Sequence, residues 1–147
     1  MSDKLPYQFK LIRLMTLEFA VIEKNFIQGG EINITTNLNW GAGDQRLIGV
    51  GAKFMFEIKG QPFIVLNVEG QFDIAETTWS GMLQDGGEQV LVHKTFLAHM
   101  GMLVVGSARG VLHAKLEQTP FNQLLIPTVN VQAMINEDVL MDIKKAL

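Results

Sequence analysis

The chain has no cysteine among its 147 residues. That excludes a disulfide scaffold and a thiolate metal site, and it fits a reducing cytoplasm, the compartment we expect. Charge is scarce as well. Charged residues make up 18% of the chain, against the ~25% usual for soluble proteins, and mean hydropathy is +0.20. The formal net charge is −3 and no Lys/Arg cluster is present, which speaks against a nucleic-acid partner. Apolar runs are interrupted. Lys10, Arg13 and Glu18 break up the N-terminal residues, so no signal peptide is expected. The longest run, Phe96–Leu112, contains His99 and Arg109 and falls short of the ~20 residues of a membrane span. Linkers and repeats are missing too, so 1–147 reads as one domain.

Recognisable site chemistry is equally sparse. His93, His99 and His113 have no partner histidine at i+3 or i+4, the spacing that sets two ligands on one helix face, so no metal site is expected. Gly41-Ala42-Gly43 and Gly49-Val50-Gly51 begin like nucleotide loops but lack the third glycine and any Gly-Lys-Ser/Thr. Ser80 and Ser107 lack a nucleophile-elbow context. Glu69, Asp73 and Glu76 cluster near the end of one predicted strand, where a solvated face is the simpler reading than an acid/base pair. We expect no enzyme, no cofactor and no metal.

What the chain does have is apolar surplus and regular patterning. Gln8–Ile22 alternates, with Phe9, Leu11, Met15, Leu17, Phe19 and Val21 on one face and only Arg13 breaking it. Glu31–Trp40 alternates cleanly between Ile32, Ile34, Thr36, Leu38, Trp40 and an Asn/Thr face. Leu47–Lys59 and Phe63–Ala75 repeat the pattern. Period two with β-branched residues predicts four strands. The turns fall at Gly29-Gly30, Gly41–Asp44 and Lys59–Pro62. Short connections predict an antiparallel meander. Thr77–Glu88, with Gly81 and Asp85-Gly86-Gly87, reads as a mobile loop carrying Trp79, Met82 and Leu83.

Two helical patterns come next. The first runs from Phe96 to about Glu117 and is stopped by Thr119-Pro120. Ala98, Met102, Gly106, Gly110 and Ala114 form a stripe along it at helical spacing. Its glycines, Gly101 included, each cost about 1 kcal/mol of helix propensity. Close approach of another backbone would offset that, either at an oligomer interface or inside a monomer core. The second pattern opens at Asn130 and runs to the C-terminus, with Val131, Met134, Ile135, Val139 and Ile143 on one side. Strands first and helices last predicts an α+β fold: a four-stranded antiparallel sheet followed by two helices packed on one face. Eight methionines add adaptable apolar surface.

Ser107-Ala108-Arg109-Gly110, Thr119–Leu124 and Ile126-Pro127-Thr128-Val129-Asn130-Val131, with Gly70–Ala75 upstream, resemble the corresponding runs of SecB, the bacterial protein-export chaperone family. The resemblance implies a cytoplasmic holdase that keeps unfolded preproteins in apolar grooves and hands them to SecA. It implies the same α+β fold, assembled as a dimer of dimers. It places client-binding positions on Ile32, Ile34, Val131, Met134 and Ile135, to which we add Trp79 of the apolar loop, and a SecA-docking acid on Glu18. The family's second docking acid falls on Val65, and its acidic tail has no counterpart. The helical stripe is the expected oligomer interface. A dedicated chaperone of one partner, such as an antitoxin, and a small apolar-ligand carrier are the alternatives.

Overall fold

The structure, a computed structural model, describes residues 7–145. Its elements are β1 (Phe9–Val21), β2 (Asn33–Gly43), β3 (Leu47–Ile58), β4 (Gln61–Ile74), α1 (Glu76–Met82), β5 (Gln89–Val92), α2 (Lys94–Leu116), α3 (Val131–Met134) and β6 (Val139–Lys144). The fold is α+β. Among the described residues the sheet has six strands, in the order β1-β4-β3-β2-β6-β5, not four, and the β2–β6 pairing is parallel.

Strands β2, β3 and β4 form the expected antiparallel run. β1 does not extend a meander, because it pairs with β4 on the far side. The connection 22–32 makes this possible: at up to ~3.5 Å per residue it can cross three inter-strand spacings of about 4.8 Å. The β2–β3 turn also falls later than its glycines suggest. β2 continues through Gly43, and the reversal uses Gln45 and Arg46, with φ of 65° and 62°. Arg46 Nε donates to Ile74 O at 2.9 Å and fixes this left-handed pair against β4.

β1 corrects the simple alternation in another way. Its register slips between Leu11 and Arg13 and again between Thr16 and Glu18, leaving Ile12 and Leu17 bulged. Each extra residue reverses the facing of the strand beyond it. Phe9, Leu11, Leu14, Thr16, Phe19 and Val21 therefore share the helix side, opposite β4 core positions, and Met15 lies on the outer face. Arg13, which broke the predicted face, is an outer residue.

α2 lies across the centre of the sheet, over β3 and β4. Phe96, Leu97, Met100, Val104, Val105, Ala108, Leu112 and Leu116 face Ile48, Val50, Phe54, Phe56, Leu66, Val68 and Phe72 in one core. The α2 N-terminus is capped twice: His93 Nδ1 accepts from the Thr95 amide, and Asp138 Oδ1 from the Lys94 amide at 3.0 Å. Among the described residues α2 is the one helix long and apolar enough to cross a membrane, longer than the apolar run suggested, and half of that window is buried in the core.

Two further expectations are overturned. Thr77–Glu88 is not a loose loop. Most of it is α1 and a 3-10 turn at Asp85–Gly87, with Trp79 and Met82 in the core. The second helix is a single turn, α3, followed by strand β6. Val139, Met141 and Ile143 alternate with exposed Leu140, Asp142 and Lys144, and β5 supplies a ladder partner for Val139–Asp142. A four-residue ladder plus burial of Met141 outweighs the propensity of an isolated terminal helix.

Candidate functional site

β2 is built from eleven residues, Asn33–Gly43, with no charged residue and no proline. Its register with β3 is continuous over all eleven, without a bulge. Period two places Ile34, Thr36, Leu38, Trp40 and Ala42 beside Phe56, Phe54, Ala52, Val50 and Ile48 on the helix side. Ile34, Leu38 and Trp40 are only half-buried against that core, as is Ile32 just before the strand. The outer face carries Asn33, Thr35, Asn37 and Asn39; Thr35 Oγ1 donates to Glu57 Oε1 at 3.1 Å.

The other edge of β2 is largely open. β6 pairs with it only at Ala42–Ile143 and Gly43–Lys144, reinforced by the Asp44 amide donating to Lys144 O at 3.0 Å. Among the described residues, Asn33–Gly41 has no ladder partner on that side. The result is a flat strand edge of nine residues, flanked on one face by half-buried apolar side chains and on the other by amides. β1, the opposite edge of the same run of strands, is different: it has two bulges and carries Lys10, Arg13 and Glu18. These features discourage edge pairing.

Segment 117–135 folds back against α2 and adds Phe121, Ile126, Val131 and Ile135 to the core. Arg109 holds it down, donating from Nε to Ile126 O and from its Nη2 to Pro127 O, both at 2.8 Å. Phe121 packs its ring against Phe26 and Phe63 at 5.0 and 5.7 Å. Val131 lies over Gly101 of α2, where an added Cβ would stand 3.0 Å from it.

These contacts decide where each expected client-binding residue lies. Ile32 and Ile34 are half-buried beside the open β2 edge. Met134 is 40% exposed on α3. Val131, Ile135 and Trp79 lie in the core of this single chain, where the expectation placed them on a client-binding surface. Their apolar type looks the same in sequence whether it fills a core or an outer groove. Leu38 and Trp40, continuing the Ile34 row, are additions that the structure makes to the site, although their alternation is visible in the sequence.

Glu18 is on the outer face of β1. Its carboxylate lies 3.3 Å from Lys53 Nζ, across the intervening β4. Around it, Lys10, Arg13, Lys53, Glu57, Glu69 and Asp73 mix both signs on this face. Of the α2 stripe, Met102, Gly106, Gly110 and Ala114 are exposed, while Ala98 is buried against the core. A Cβ added at Gly106 or Gly110 would meet nothing within 4 Å. Beside the stripe, His99 and Lys115 lie over Phe9 and Phe19 of β1, at 5.6 and 5.5 Å. β1 adds exposed Leu11, Ile12, Leu14 and Leu17, which alternation alone assigns partly to a buried face.

Tyr7 stacks on Phe96 with ring centroids 4.5 Å apart. Burial pushes its phenol above the ordinary pKa of 10.0, and the Asp138 carboxylate adds to the rise. Cavities are open to solvent, and one of about 920 Å³ beside β5 and β6 has a largely polar lining that includes Asp44, Glu88, Gln89 and Asp142. One of about 210 Å³ sits between the start of α2 and α3, lined by Lys94, Ala98, Gln132 and Ile135. Among the described residues no group of three metal-ligating side chains comes together.

No family model and no curated protein matches the chain. Among solved structures it is similar to the SecB-like chaperone Rv1957 of Mycobacterium tuberculosis, solved in complex with a ChAD peptide from the HigA1 antitoxin. The TM-score is 0.51 at 9% identity, over 82% of this chain and 90% of that one. The chain thus has the fold of a SecB-like chaperone.

Proposed function

We propose that this protein is a SecB-like holdase, a cytoplasmic oligomer that keeps non-native polypeptide from aggregating. The observation that carries the reading is the β2 edge, open over Asn33–Gly41 beside half-buried Ile34, Leu38 and Trp40. An extended chain laid there gains sequence-independent backbone hydrogen bonds and about 25 cal/mol for each Å² of apolar area buried. Ile32, half-buried just before the strand, extends the apolar surface along it. Copies associate through the exposed α2 stripe and neighbouring β1, on the far side of the sheet.

Within this class, service to one dedicated partner is supported over export through SecA. The solved neighbour holds an antitoxin peptide. The outer face that carries Glu18 mixes charges, and Glu18 is already paired with Lys53. The position of the second docking acid is buried Val65. A carrier of small apolar ligands finds less support, because Phe54, Phe56, Phe63, Phe72, Phe96 and Met100 fill the interior.

The test is aggregation of an unfolded client followed by light scattering. Stoichiometric oligomer should suppress it, and the double substitution Ile34→Asp/Leu38→Asp should abolish suppression while leaving the solution mass unchanged. Aggregation that proceeds at the same rate with and without the protein would overturn the proposal.

A further inference from the structure

We infer that the β2 edge selects client segments by side-chain alternation, taking one extended strand with apolar and polar residues in turn. This rests on the holdase reading and specifies what the edge prefers.

The two edges of the strand run differ in kind. A long, flat, uncharged edge is a pairing template, and stable folds blunt such edges with charges, prolines or bulges. β1 has charges and two bulges, whereas β2 has neither. The chain's own β6 occupies only Ala42 and Gly43 and then diverges toward β5. Among the described residues nine stay without a ladder partner on that edge, about 30 Å of strand at ~3.3 Å per residue.

A strand added there must present its two faces to two different surfaces. On the helix side its residues lie beside Ile34, Leu38 and Trp40, and on the other side beside Asn33, Asn37 and Asn39. Cross-strand neighbours of like character stabilise pairing, and a slip of one residue turns every side chain to the wrong face. An amphipathic alternating segment therefore satisfies both surfaces in one register. A segment with its apolar residues bunched leaves apolar groups against the asparagine row and polar groups against Ile34 and Leu38. β6 also bounds the site, since a longer strand running past Gly41 meets Ile143. A second copy is the other possible occupant. Antiparallel self-pairing over all nine residues would drive the partner's chain before its own Asn33 into β6, so a client strand fits the edge better.

The experiment uses two labelled nine-residue peptides of identical composition, one alternating valine with threonine and one with the valines bunched. Binding to the full-length oligomer is read by fluorescence anisotropy, and amide exchange over Asn33–Gly41 is followed in parallel. The alternating peptide should bind about tenfold more tightly, since register slips and mismatched faces penalise the other. It should slow exchange of the β2 amides, and N-methylation of every second backbone nitrogen should remove the effect. Equal affinities overturn the inference. So does protection, before any peptide is added, of the edge-facing β2 amides that are not bonded to β3, which would mean that a second copy occupies the edge. If the client-aggregation assay still shows suppression in those cases, the selection rule fails alone. If suppression is also lost, the holdase reading fails with it.

Discussion

At Gly70, helix α2 and strand β1 both reach the backbone of β4. An added Cβ would stand 2.9 Å from Val104 Cγ2 and 3.1 Å from Leu11 Cδ1. Val104 is buried and β-branched, so it cannot swing aside. Gly70→Ala should destabilise the fold by about 1–3 kcal/mol through overpacking, read as a lower urea midpoint. Arg109 acts on a different segment. Its two charged hydrogen bonds to Ile126 and Pro127 carbonyls hold the 117–130 crossover. Removing them in Arg109→Ala should cost about 2–4 kcal/mol, and limited proteolysis should then cut in that segment first. Tyr7 offers a pH test. Its phenol titrates above 10.0 in the folded chain, so folding disfavours the tyrosinate. Its contribution is intact below pH 10 and is lost as pH rises beyond it. Because it is the sole tyrosine, ultraviolet titration of the folded protein reads this group alone. Tyr7→Phe keeps the stack on Phe96 and should flatten the alkaline fall in unfolding midpoint.

The glycines of α2 make opposite demands on one helix. Gly101 abuts Val131, while Gly106 and Gly110 face open space. In a single copy, Gly106→Ala and Gly110→Ala should each stabilise α2 by about 0.5–1 kcal/mol. If a partner helix approaches there, the same pair of substitutions should weaken association, so thermal stability at high dilution and assembly should move in opposite directions. Sedimentation and thermal unfolding across a concentration series would read both. α2 itself is legible in the sequence, because an apolar run bounded by a proline signal admits few alternatives. The four long strands are legible for the same kind of reason, as period two is a strong pattern. The bulges in β1 are not, since Ile12 and Leu17 look like any other apolar residue until β4 sets the register. β6 reads as helix because Val131, Met134, Ile135, Val139 and Ile143 fit a helical face as well as Val139, Met141 and Ile143 fit a strand. Only the distant partner β5 decides between them. α1 is hidden by Gly81, although burial of Trp79 and Met82 pins it.

At the scale of the whole molecule, exposed Leu11 and Leu14 of β1 share the helix side with the α2 stripe, and β1 is the strand edge opposite the open edge of β2. Assembly and client capture should therefore be separable. Leu11→Asp/Leu14→Asp should lower the solution mass toward the 16.4 kDa of one chain, measured by native mass spectrometry, while binding of an extended peptide at β2 persists at reduced avidity. The site is half legible. Ile32 and Ile34 can be placed from alternation and family likeness, but the open edge depends on where β6 stops pairing, a fact that no local pattern carries. That stopping point also has a consequence in time. Ile143 reaches Ala42 across roughly a hundred residues of chain, so during synthesis at about 5–20 residues per second β2 waits some 5–20 s for even its small portion of cover. A newly made copy is thus at its most adhesive before β6 has left the ribosome, and polysomes bearing several such copies bring bare edges together.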